Sequence, residues 1–192
     1  MSFKNYQKVG EKYGINSDTN WFKLQEGPNK LRLVSEFEDY GSHFDQKLNK
    51  TIICLGKDNC DYCKAGEKPR VQFKGWAINR EDNTFKLLTI GYKVYQQIGE
   101  YANSEEYGFE NIPGYDITIN KSGTGLGTKY TVLPDRKDTS LTDGEIDNIN
   151  QLAPVSDILE KMKNKVLENN NQSNQNEENA EEKELNEDEL IS

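Results

Sequence analysis

The chain has 192 residues, 33% apolar and 30% charged, with 24 basic against 33 acidic side chains and a formal charge of −9. That length suits one domain with appendages, and so small an apolar share can pack only part of it. With no run of 18 apolar residues and no apolar stretch after Met1-Ser2-Phe3-Lys4-Asn5-Tyr6, neither a membrane-spanning helix nor a secretory signal is expected, and the expectation is a cytoplasmic protein.

Residues 1–19 read as an N-terminal arm in which Lys4, Lys8 and Lys12 recur every four residues beside Tyr6, Val9 and Tyr13. Residues 20–168 read as the folded core. Strand-like alternation or β-rich composition marks Trp21–Gln25, Leu31–Ser35, Thr51–Leu55, Arg70–Asn79, Thr84–Ile90, Tyr115–Asn120 and Lys129–Leu133. Turn residues separate several of these runs. Gly27-Pro28-Asn29 lies between the first two, Glu81-Asp82-Asn83 between the fourth and fifth, and the glycine-rich 122–127 between the last two, so antiparallel hairpins are the natural connection. That glycine run precedes a strand and lacks the Lys-Ser/Thr of a phosphate loop, which leaves a hairpin loop. Between the fifth and sixth strands, Val94, Tyr95, Ile98 and Tyr101 fall at helical spacing within Tyr92–Asn103. One helix among five or six antiparallel strands predicts a mainly β fold, a small closed barrel of the OB-fold type. Two further helices are expected at Asp143–Leu152 and Ser156–Leu167, split by Pro154.

All three cysteines and the only histidine fall within 21 residues, as His43, Cys54, Cys60 and Cys63. Cys60 and Cys63 have the C-x-x-C spacing that lets two thiolates hold one tetrahedral metal, and with Cys54 and His43 they read as a Cys3His zinc site. Four protein ligands close the coordination sphere, so one structural zinc is expected within an insertion over about 43–68. Three cysteines cannot all pair in disulfides within one chain, which agrees with a reducing compartment.

The charge is unevenly placed. From Asn169 on, eight acids face one base, Lys183, so residues 169–192 carry −7 and residues 1–168 only −2. A near-neutral body can present a basic groove, whereas the Asn/Gln tract and acids of residues 169–192 cannot bury enough to fold and read as a disordered acidic tail. It is either a solubilising end or, with Leu185, Leu190 and Ile191 set among its acids, a short partner-docking motif. After the cysteines, bases and aromatics interleave, with Arg70, Lys74, Trp76, Arg80, Lys86, Tyr92 and Lys93 followed later by Lys129. Single-stranded nucleic acid is bound by that mixture, since aromatics stack on exposed bases while cations track phosphates. Alternation along Arg70–Asn79 puts Arg70, Gln72, Lys74 and Trp76 on one face, expected to meet solvent, and Val71, Phe73, Gly75 and Ala77 on the other.

Taken in order, the His43, Cys54, Cys60, Cys63 ligands, the Trp76-Ala77 strand, the Phe85-Lys86 strand, the aromatic helix after Gly91 and the acidic C-terminus resemble the T-even phage helix-destabilising protein family. The resemblance covers most of residues 20–135. It implies an OB-fold with an inserted zinc subdomain, non-specific single-stranded-DNA binding in phage DNA replication, recombination and repair, and a tail that modulates binding and recruits replisome partners. The loop from Cys54 to Cys60 is shorter than in that family, and its basic N-terminal motif is not evident. Lys4, Lys8 and Lys12 either replace that motif, giving self-association on DNA, or form the solvated face of a short helix.

Two other classes fit less of the chain. A zinc nucleobase deaminase needs His-x-Glu and Pro-Cys-x-x-Cys, whereas here Asp45 follows His43 by two and Asn59 precedes Cys60, and Cys54 takes the position of the reactive water. No enzyme is expected. A zinc-ribbon module that binds only protein is the remaining alternative, because an acidic tail on a near-neutral body suffices for it.

Overall fold

The structure is a computed structural model that describes residues 21–46, 48–138 and 140–168. The N-terminal arm and the acidic tail lie outside the described residues. So do the expectations placed on Lys4, Lys8 and Lys12 and on Leu185–Ser192. Seven strands form one antiparallel sheet: β1 (Gly27–Leu33), β2 (Glu38–Asp45), β3 (Lys50–Ile53), β4 (Arg70–Asn79), β5 (Thr84–Gly91), β6 (Tyr115–Ser122) and β7 (Lys129–Asp138). The helices are α1 (Asp61–Lys64), α2 (Tyr92–Ala102), α3 (Asp143–Ile149) and α4 over 155–168. No helix among the described residues is long and apolar enough to cross a membrane.

Strand order is β3-β2-β4-β1-β6-β7, and β5 pairs with the edge of β4 that β1 leaves free. The sheet stays open, since β3, β5 and β7 each pair with one strand among the described residues, and the closed barrel expected from the sequence is not formed. Closure is a property of strand tilt and shear around the whole sheet, which local alternation does not encode.

The chain divides into two compact units, one with residues 21–39 and 72–155, the other with 40–71 and 156–168. In the first, alternation delivers the core directly: Leu31 and Leu33 from β1, Phe73 and Ala77 from β4, Leu88 and Ile90 from β5, and Tyr115, Ile117 and Ile119 from β6. Val94 and Ile98, one helical turn apart on α2, join them. The same helix masks an open strand edge. Gln97 accepts the Val132 amide at 2.9 Å through Oε1 and donates to the Tyr130 carbonyl at 3.2 Å, so its side-chain amide stands in for a neighbouring strand on β7.

Three local expectations change. Trp21–Gln25 is not a strand, and Trp21 makes only a single parallel bridge to Leu87. Gly27-Pro28-Asn29 opens β1 instead of joining two strands, because Asn29 Oδ1 takes the Gln25 amide at 2.8 Å and forms the turn before it. Glu38–Asp45 is an additional strand whose Glu-Asp-Tyr-Gly-Ser opening carries no β signal.

Candidate metal centre and aromatic cleft

His43 stands on β2, Cys54 follows β3, and Cys60 and Cys63 flank the first turn of α1, all within the unit of residues 40–71 and 156–168. The hairpin register sets His43 opposite Ile52 and Ser42 opposite Ile53, so the chain leaves β3 beside the histidine. Gly41 then receives the Cys54 amide on its carbonyl at 2.8 Å. A Cβ on Gly41 would lie 3.1 Å from those of Cys54 and Pro69, so only glycine permits this approach without displacement.

Beyond Cys54, the Asn59 amide closes a turn onto the Gly56 carbonyl and delivers Cys60 as the N-cap of α1. The helix stops after one turn. Gly66, at φ +88°, donates to the Cys63 carbonyl and Glu67 to the Tyr62 carbonyl, the paired bonds of a Schellman ending. Two turns and a hairpin thereby place four soft or borderline donors together without a large apolar core. Among the described residues of 40–71, only Tyr40, Ile53 and Cys60 are buried hydrophobics.

The four ligand atoms all lie within 4.8 Å of one another. Cys63 Sγ is 3.4 Å from both Cys54 Sγ and His43 Nε2. Tetrahedral metal–sulfur bonds of about 2.3 Å would set sulfurs about 3.8 Å apart, so the cluster has the size and donor chemistry to hold one metal ion. Burial opposes ionisation of Cys60, but the Cys63 and Leu55 amides directed at its sulfur bring its pKa below the ordinary thiol value. Burial and the neighbouring sulfurs push Cys63 up to about 12.

Two side chains lie beside the histidine. The Tyr62 ring stacks on it at 5.2 Å and 16°, and burial with a hydrogen bond to Asp45 raises the Tyr62 phenol. Glu67 Oε2 lies 4.0 Å from Nδ1, the nitrogen turned away from the sulfurs. Sequence reading named the four side chains that the structure brings together, but not Tyr62 and Glu67 beside them, which the Schellman turn places there.

The other unit carries an open cleft of about 1300 Å³ lined by Trp21, Phe22 and Phe85, by Lys23, Lys30, Arg80 and Lys86, and by Glu26, Glu81 and Asp82. Of the eight residues expected to bind nucleic acid, Arg80 and Lys86 line it. Both have protein partners. Arg80 Nε meets both Asp116 oxygens at 3.1 Å and its guanidinium also reaches Glu145, while Lys86 pairs with Asp82 at 3.0 Å. The Thr84 hydroxyl and then Lys86 hold Asp82 down at about 2.

No family model, curated protein or solved structure matches the chain. The geometry must therefore carry any functional reading.

Lys74 and Trp76 do not face solvent as alternation suggested. Lys74 is 1% exposed, with Nζ on Thr89 Oγ1 at 2.7 Å, and Trp76 is 8% exposed, with Nε1 donating to the Ala153 carbonyl at 2.9 Å. Both faces of β4 are covered, one by the core and the other by segments around Trp21 and Ala153 that lie far away in sequence. Arg70, Tyr92, Lys93 and Lys129 are exposed and line no part of the cleft. Tyr95 belongs to the packing, stacked on Phe73 at 3.8 Å. Sequence reading missed Trp21, Phe22 and Lys23 as cleft residues, since Trp21–Gln25 looked like a sheet strand, and it missed Lys30 on β1 as well.

Proposed function

We propose that this protein binds single-stranded DNA without sequence preference, and that His43, Cys54, Cys60 and Cys63 hold one structural zinc. The cleft carries the reading. It combines three aromatic rings with four cations and three acids in an open trough, which suits unpaired bases and a phosphate backbone where phosphate takes the place of a carboxylate. Phosphate can compete with Asp82 for Lys86, because the pair is partly exposed and such surface pairs are worth about 1 kcal/mol or less.

The donor set supports zinc, since three cysteine sulfurs and an imidazole in a closed cluster match a structural Cys3His site. Five antiparallel strands in one unit, β1 and β4 to β7, with α2 between β5 and β6, support an OB-fold-like assignment, a fold that is itself partly open. The family resemblance adds action in phage replication, recombination and repair within the host cytoplasm, with the acidic tail modulating binding and recruiting replisome proteins.

Fluorescence titration with oligo-dT and with duplex DNA at two salt concentrations tests the reading. Tighter single-strand binding is expected, weakening with salt at a log–log slope of about −0.7 per phosphate neutralised. Equal or better affinity for duplex would overturn it.

An apolar groove of about 440 Å³ beside Cys60, lined by Leu48, Ile52, Ile53, Leu55, Ala65 and Val166 among others, favours a second reading, a zinc module that binds only protein. Failure of the chain to be retained on single-stranded-DNA cellulose would select that alternative.

A further inference from the structure

We propose that Trp21 is a nucleobase-stacking platform in the cleft and that Lys74 positions its indole from inside, an inference that rests on the single-strand reading above. The indole lines the cleft and is half-buried. Its backbone is fixed along the outer edge of β5 by the bridge to Leu87 and by the Phe22 amide on the Leu87 carbonyl at 2.9 Å. Lys74, on β4 directly across from Thr89, places Nζ 4.1 Å from the centre of the indole ring.

Burying an ammonium is costly, and the negative face of an aromatic ring is among the few apolar surfaces that offset part of that cost. The contact also constrains the ring. The ammonium against the ring and the backbone bridge to β5 constrain the indole, and a base in the cleft would meet the surface that Lys74 leaves uncovered. The cation draws π density inward, which makes the outer surface a better partner for an electron-rich ring. Burial lowers the Lys74 pKa to about 8, so the group remains charged at neutral pH.

The ligand class this arrangement takes is an unpaired nucleobase read by its π-face and not by its edge. A duplex keeps those faces stacked on one another, so a platform of this kind selects single strands.

A double-mutant cycle on the full chain tests the inference, with oligo-dT affinity measured at fixed low salt for Trp21→Ala, Lys74→Met and the pair. Trp21→Ala should weaken binding roughly 5- to 150-fold, the range of one stacked base. Lys74→Met should weaken it several-fold in the wild-type background and have no effect in the Trp21→Ala background, because it acts through the ring. Lys74→Arg, which keeps a cation there, should restore affinity to within about twofold.

An equal loss from Lys74→Met in both backgrounds would reduce Lys74 to a structural residue and overturn its positioning role. Where Lys74→Met fails to fold, a folded Lys74→Arg that binds as weakly as Trp21→Ala overturns that role. Unchanged affinity in Trp21→Ala, with wild type still binding oligo-dT, overturns the platform alone. No single-strand binding by wild type overturns the underlying reading instead.

Discussion

Trp76 shows how much one residue's surroundings alter its meaning. Among cations on a strand it reads as a stacking residue, yet its ring is buried and its indole N–H is satisfied by the Ala153 carbonyl. Trp76→Ala should therefore act on stability, lowering the unfolding free energy by about 3–5 kcal/mol in a denaturant titration. Any variant fraction that remains folded should bind oligo-dT close to normally. The cysteines make the opposite case, since their spacing survives translation into space. Cys60→Ser or Cys63→Ser leaves three protein ligands around the proposed zinc, and metal analysis should find less than one equivalent bound, with a lower melting temperature and faster amide exchange over about residues 43–68. No zinc in wild-type protein purified without chelator would refute the assignment.

At the level of elements, α2 has two duties that its sequence separates by face. Val94 and Ile98 enter the core, whereas Gln97 and Tyr101 address β7, Tyr101 through its hydroxyl on the Val132 carbonyl at 3.0 Å. Val132 is buried, so an amide there that loses its acceptor has no water to turn to. Gln97→Ala should cost about 1–3 kcal/mol and remove hydrogen-exchange protection from the Val132 amide while leaving the β4–β5 hairpin protected. Loss of protection spread evenly over the sheet would show instead that the helix acts only through its apolar face. The capping box of α3 ties another helix into the network, because Glu145 both closes the cap on Thr142 and receives Arg80.

For the whole molecule, the decisive quantity is where the charge lies. Residues 169–192 hold −7 of the −9, and a tethered polyanion competes with DNA phosphate at an effective concentration that can reach about millimolar. Removing those residues should tighten oligo-dT binding at low salt, and the gain should shrink as salt screens the competition. Loss of any replication partner that docks on Leu185–Ser192 should accompany it. Unchanged affinity at low salt would leave the tail as a solubilising or recruiting appendage.

The sequence by itself determined the cluster that could hold a metal ion, because metal chemistry depends on residue type and short spacing, and His43, Cys54, Cys60 and Cys63 supply both. It likewise determined β4, β5, β6, β7 and α2, where a period of 2 or 3.6 is strong and local. The tertiary structure decided what lies over each face. Lys74 and Trp76 are covered by Trp21 and by a segment 77 residues further along, and the cleft draws its aromatics from Trp21-Phe22 and Phe85, two stretches brought together by pairing along β5. Alternation specifies that a strand has two faces. Only the packing of distant segments, set by the balance of all buried area at once, specifies which of them water reaches.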